Sequence, residues 1–133
     1  MVNKTHIATN AAPPAKGTFS QAIRTGDLVF VGGQTGRDPE TGKLEEGLEA
    51  QTRRMLSNVE AILNAAGCSL EDIVKTTLLM ADLKDFKAID KIYAAWLPSR
   101  DVTPLPACTA CVVAKLPAGA LVMLEVVAAI PHD

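Results

Sequence analysis

Histidine is nearly missing from this chain: it has two, His6 and His132, both close to the ends. A serine or cysteine nucleophile needs a base within hydrogen-bond reach, and no internal histidine is there to serve. GxSxG, HExxH and P-loop patterns are missing too. There is no excess of basic residues: 13 Lys and Arg face 15 Asp and Glu, for a net charge of -2. That gives no electrostatic case for nucleic acid or an anionic membrane as partner. No charge-free apolar run approaches the roughly 20 residues of a membrane helix. The opening MVNKTHIATNAAPP has no apolar h-region, so no secretory signal is expected. Cysteine is scarce and odd in number, at three. A reducing cytosol is the simplest setting for such a chain, and a cytoplasmic location is expected.

What is present is ample for a folded core. The 133 residues are 48% apolar, which predicts one globular domain over 1–133 without need of disulfides or metal. Residues 3–9 read as a short strand and Asn10–Gly17 as a loop, because adjacent prolines and a glycine forbid regular pairing. Phe19–Arg24 reads as a strand, Thr25-Gly26-Asp27 as a turn and Leu28–Val31 as a buried strand. Gly32–Gly36 reads as a turn, although three glycines in five residues also permit a backbone cradle for an anion. A second turn at Asp38–Gly42 leads to a helix over Gly47–Ala66. Its apolar face is Leu48, Met55, Leu56, Val59, Ile62, Leu63 and Ala66, and Gln51, Arg53, Arg54, Asn58 and Glu60 fall mostly on the other side. Gly67 stops it. A capped turn at Ser69–Asp72 precedes a strand over Ile73–Ala81. Asp82 then caps a helix over Leu83–Leu97, with Phe86, Ile89, Ile92, Tyr93 and Trp96 as its apolar face and Pro98 as its end. Two more strands lie between Pro104 and Ala129, on either side of the turn at Pro117–Ala120. Two strand–helix–strand units on a mixed sheet make an α+β or α/β sandwich with both helices on one face. The other face stays apolar and bare, a surface that predicts self-association.

Two features bear on chemistry. Glu125 stands among Val122, Met123, Leu124, Val126 and Val127, where burying a carboxylate is costly unless it is paired, hydrogen-bonded or protonated. It reads equally as a site residue or as a structural acid satisfied by its neighbours. Cys108-Thr109-Ala110-Cys111 is a CxxC, but redox and zinc motifs place both sulfurs in a turn or at a helix N-terminus. In a strand, residues three apart face opposite sides, so buried structural thiols are expected and no metal or cofactor.

The stretch Ile73–Leu97, IVKTTLLMADLKDFKAIDKIYAAWL, resembles the Rid/YjgF family of small enamine/imine deaminases. So do GGQTGRDPETG at 32–42, NVEAILNAAG at 58–67 and LPA…LP…LE between 105 and 125. The resemblance implies a chorismate-mutase-like α+β fold, with a mixed six-stranded sheet and two helices on one face. It implies a homotrimer whose sheets form a central barrel, with three clefts between subunits that take a small-molecule substrate. Glu125 falls on the family's water-activating glutamate, and Gly33 and Gln34 match as well. Gly32 stands where the family has a serine, Phe19 where it has a tyrosine, Ala110 where it often has a cysteine and Asp90 where it has an asparagine. Cys108 follows Pro106-Ala107, the place of the arginine that binds a substrate carboxylate. Cysteine supplies neither the fixed charge nor the five donors of arginine, so Arg37 or Arg24 becomes the replacement partner for a carboxylate.

The resemblance therefore carries two readings. In one, Glu125 activates water for hydrolytic deamination of a 2-aminomuconate-like enamine or imine acid, and backbone N–H groups near Gly32, Gly33 and Thr109 polarise the substrate. In the other, the trimer is a non-catalytic or regulatory binder that holds a small ligand between Phe19, Cys108 and Glu125. An older family label, ribonuclease, finds no basic patch or histidine pair here.

Overall fold

A computed structural model of the protein describes residues 1–97 and 104–132. Pro98, the expected end of the second helix, lies outside the described residues. Six strands are present: β1 (Thr5–Ile7), β2 (Ala22–Thr25), β3 (Leu28–Gln34), β4 (Ile73–Met80), β5 (Ala107–Val112) and β6 (Val122–Ala129). Helix α1 (Leu48–Ala65) follows β3, and α2 (Phe86–Trp96) follows β4. The strands form one sheet in the order β1-β2-β3-β6-β4-β5. The β4–β5 pair is parallel and all other pairs are antiparallel.

Local chemistry sets the helix limits. At the end of α1 the N–H groups of Gly67 and Cys68 donate to the carbonyls of Asn64 and Leu63. That closure requires a left-handed residue, and Gly67 supplies it at φ 82°. Ser69 and Asp72 then form a reciprocal capping box. Asp82 caps the turn ahead of α2 by accepting from the Lys84 N–H.

Helix α1 packs on β3 and β6, and α2 packs on α1. Between them lies the core: Met55, Val59, Ile62 and Leu63 of α1, Val29 and Val31 of β3, Leu78 and Met80 of β4, Ile89 of α2, and Val122, Leu124 and Val126 of β6. Gln51 and Asn58, expected on the polar side of α1, are buried instead. Each satisfies backbone of an adjoining loop. Gln51 Oε1 accepts from the Leu121 N–H at 2.9 Å, and Asn58 Nδ2 donates to the carbonyls of Thr35 and Arg37.

Leu28–Val31 is not buried on both sides. Val29 and Val31 point into the core, whereas Leu28 and Phe30 remain 40% and 44% exposed. An uninterrupted apolar run cannot reveal this, because both of its faces look alike in sequence. Both helices occupy one face of the sheet, and the other is bare in the protomer.

Candidate functional site

The far end of β3 shapes the site. Gly32 and Gly33 continue the strand, where a turn was expected, and neither has positive φ. The ladder to β6 shifts between Val31 and Gln34, a bulge that leaves Gly33 between paired positions. The glycines serve close approach. A Cβ on Gly33 would lie 2.7 Å from Met123 Sδ, and one on Gly36 would lie 2.4 Å from the Gln51 backbone. The segment after β3 is then held by the two Asn58 bonds, 3.1 Å to the Thr35 carbonyl and 2.9 Å to that of Arg37. Asp38 closes the next turn by accepting from the N–H groups of Glu40 and Thr41, at 2.7 and 3.3 Å. Those two bonds, with help from the nearby Arg54 guanidinium, outweigh desolvation and hold its carboxyl below the usual range.

Between this segment, the loop ahead of β2 and the bare face of β6 and β4 is a concave cleft of about 1170 Å³. Phe19, Gly32, Gly33, Gln34, Arg37 and Glu125 all line it. Phe19 comes from the loop rather than a strand and is 77% exposed at the cleft wall. Arg37 is half-buried, and its Nη1 donates to the Gly42 carbonyl at 3.1 Å. Arg24 does not line the cleft; its Nε donates to the Gly26 carbonyl at the β2–β3 turn.

Glu125 is exposed and not enclosed by its sequence neighbours. Along β6, Val122, Leu124 and Val126 point into the core, while Glu125 points the other way with Met123 and Val127. The cost of burial that its sequence surroundings suggested does not arise within the protomer. In register, Glu125 pairs with Thr77 on β4, and Thr77 pairs with Thr109 on β5. These three share one row of the bare face. Lys75 stands beside that row, its Nζ 3.2 Å from Thr77 Oγ1 and 3.4 Å from both Thr109 Oγ1 and the Thr76 carbonyl. Lys75 passed unnoticed in the sequence. The one signal was a lone cation of the same parity as Thr77 in the otherwise uncharged strand IVKTTLLM.

Strand β5 tells a different story. Cys108, Thr109 and Ala110 lie on the edge strand and do not line the cleft of their own chain. Cys108 pairs with Thr76 and Ala110 with Leu78, both core-facing, so only Thr109 shares the face of Glu125. Cys111 pairs with Leu79 on the side opposite Cys108, as strand parity requires. Both thiols are exposed rather than buried, because an edge strand beyond the helices has no layer over it. The buried thiol is Cys68, whose pKa burial pushes up. The Gly32 N–H, expected to face a substrate, donates instead to the Gln21 carbonyl at 2.9 Å. Among the described residues no three His, Cys, Asp or Glu side chains cluster closely enough to hold a metal ion, and no helix is long and apolar enough to cross a membrane.

Comparison with known proteins adds to this geometry. Residues 9–130 match the family model described as Endoribonuclease L-PSP. Reactive Intermediate Deaminase A, chloroplastic, of Arabidopsis thaliana is 43% identical over 128 residues, which cover 96% of this chain and 66% of that protein. The chain thus spans about two thirds of the plant protein's length. A 2-iminobutanoate/2-iminopropanoate deaminase of Salmonella typhimurium is 40% identical over 122 residues, covering 92% of this chain and 94% of that one. The crystal structure of the YjgF gene product of E. coli superimposes with a TM-score of 0.90 at 36% identity, covering 96% and 99% of the two chains. With the same two helices on the same mixed six-stranded sheet, and with similarity along nearly its whole length, the chain belongs to the Rid/YjgF family.

Proposed function

We propose that this chain hydrolyses a small enamine or imine acid, 2-aminomuconate-like, to a keto or enol acid and ammonia. One observation carries the reading: Glu125 is an exposed carboxylate in a cleft large enough for a small substrate and a water molecule. An enamine first tautomerises to its imine. Glu125 then takes a proton from water as the water oxygen bonds to the imine carbon. It gives that proton to the nitrogen, leaving a carbinolamine. It then moves the remaining hydroxyl proton to the same nitrogen as the C=O bond forms, the C–N bond breaks and ammonia leaves, with no net change in oxidation state. Relatives about 40% identical whose names specify deaminases support this chemistry. Arg37, in the same cleft, replaces the arginine missing at Cys108 as partner for a carboxylate.

The working form is a homotrimer. Within one chain, β6 and β5 are separated by β4, and Cys108 faces away from Glu125. A cleft that uses Phe19, Glu125 and Cys108 together therefore draws Cys108 from a neighbouring copy. Two exposed thiols on one strand suit a reducing compartment such as the cytoplasm.

Glu125→Gln tests the mechanism. Ammonia release from 2-aminomuconate or another unstable enamine should fall by about 10² or more, with the melting temperature close to that of the parent. Full retention of activity would exclude the role given to Glu125. A second reading, a non-catalytic small-ligand trimer, is favoured by the uncharged Cys108 on β5. It gains if the parent releases no ammonia from a panel of enamines yet shows ligand-dependent thermal shifts.

A further inference from the structure

The cations among the described residues divide into those paired with a carboxylate and those that are not. Arg53, Arg54 and Lys84 each lie within ion-pair distance of a carboxylate. Lys75 does not, among the described residues. The residue is half-buried, and its Nζ is held by three neutral oxygens, two from threonine hydroxyls and one from a backbone carbonyl. An ammonium with only neutral partners still attracts an anion, because those oxygens fix its position without cancelling its charge. Lys75 lines the same cleft as Glu125 and Arg37. Lys75 is on β4, one strand beyond β6, and Arg37 follows β3 on the opposite side of β6. The two cations thus flank the strand that carries the carboxylate.

We propose that Lys75 receives a second anionic group of the substrate, so that the cleft takes a dianionic acid lying across β6 with one carboxylate at Arg37 and the other at Lys75. The threonine hydroxyls orient the ammonium, and each carboxylate accepts hydrogen bonds from its cation. Monocarboxylic imines leave Lys75 without a counter-ion and bind more weakly. The inference takes its substrate class from the deaminase reading, but the anion site itself does not require turnover.

Binding of two inert acids separates the two claims. cis,cis-Muconate is a six-carbon dicarboxylate with no amine, and sorbate has the same chain length with one carboxylate. Calorimetry on the parent protein should show muconate bound about tenfold or more tightly than sorbate, the size expected for one charged hydrogen-bonded contact. Lys75→Gln should bring the ratio close to one, and Lys75→Arg should keep part of it. Muconate affinity in the parent should also fall more steeply with added salt than sorbate affinity, a readout that holds even if a variant fails to fold. Equal binding of the two acids, a preference that survives in Lys75→Gln, or equal salt dependence would each overturn the proposal. Muconate preference without ammonia release from any enamine would defeat the deaminase reading and leave the Lys75 site standing. Ammonia release without that preference would do the reverse.

Discussion

The two faces of the sheet are built from similar residues and end in opposite circumstances. Toward the helices, Val29, Val31, Leu78, Met80, Val122, Leu124 and Val126 are closed off from water. On the other side Leu28, Phe30 and Val127 are joined by Glu125, Thr77 and Lys75, with no layer above them. The helix face is completed by the chain itself, whereas the bare face is completed only by something else. Part of that covering is assigned here to further copies and part to a substrate. Stability should therefore depend on the first face, and assembly and chemistry on the second.

The strongest way to break this contrast is a substitution in the core. Ile62 of α1 is fully buried, and truncating such a side chain removes its transfer energy and leaves a cavity. Ile62→Ala should cost about 2–5 kcal/mol in denaturant unfolding. A cost near zero would mean that α1 does not seal this face.

The matching change on the bare face should act on assembly. Phe30→Glu places a charge at the centre of the apolar part of that surface, where it pairs across to Ile23 and Val127. Light scattering should show the proposed trimer reduced to monomer with the circular dichroism spectrum retained. The isolated protomer should change by only about 0.5 kcal/mol, as for an ordinary exposed site. A trimer that persists would show that copies do not meet on this face.

The same contrast explains what the sequence disclosed. Helices were legible because a polar side makes the 3.6-residue period visible, and the Gly67 stop and Ser69–Asp72 cap have local signatures. The strands were legible as elements but not as faces. In LVFV nothing distinguishes Val29, which is buried, from Phe30, which is not. Glu125 drew notice for the wrong reason: its adjacent apolar neighbours, Leu124 and Val126, point to the opposite face. Gly33 and Gly36 looked like turn residues, and the backbone and side chains that crowd them come from elsewhere in the chain. Gln51 and Asn58 looked solvent-facing because their partners, Leu121, Thr35 and Arg37, are distant in sequence. Lys75 was hidden in the same way, since its Thr109 partner is 34 residues away.

The smallest effect concerns the rim between the two faces, where Asp38 follows Arg37. Its carboxylate accepts from Glu40 and Thr41 only when folded, so its pKa lies below the ordinary 3.8. A depressed folded pKa adds stability above the unfolded value, and that contribution is lost as pH falls through the folded one. The turn should thus hold intact down to about pH 4 and loosen only at lower pH, as Asp38 takes up a proton. A carboxyl titration by nuclear magnetic resonance should give a midpoint below 3.8, with the Glu40 and Thr41 amide shifts following the same curve. Asp38→Asn should remove that titration from both amides and leave the core melting temperature nearly unchanged. An Asp38 midpoint at or above 3.8 would mean that its two backbone bonds do not persist in solution and that the wall carrying Arg37 is not fixed in the way described.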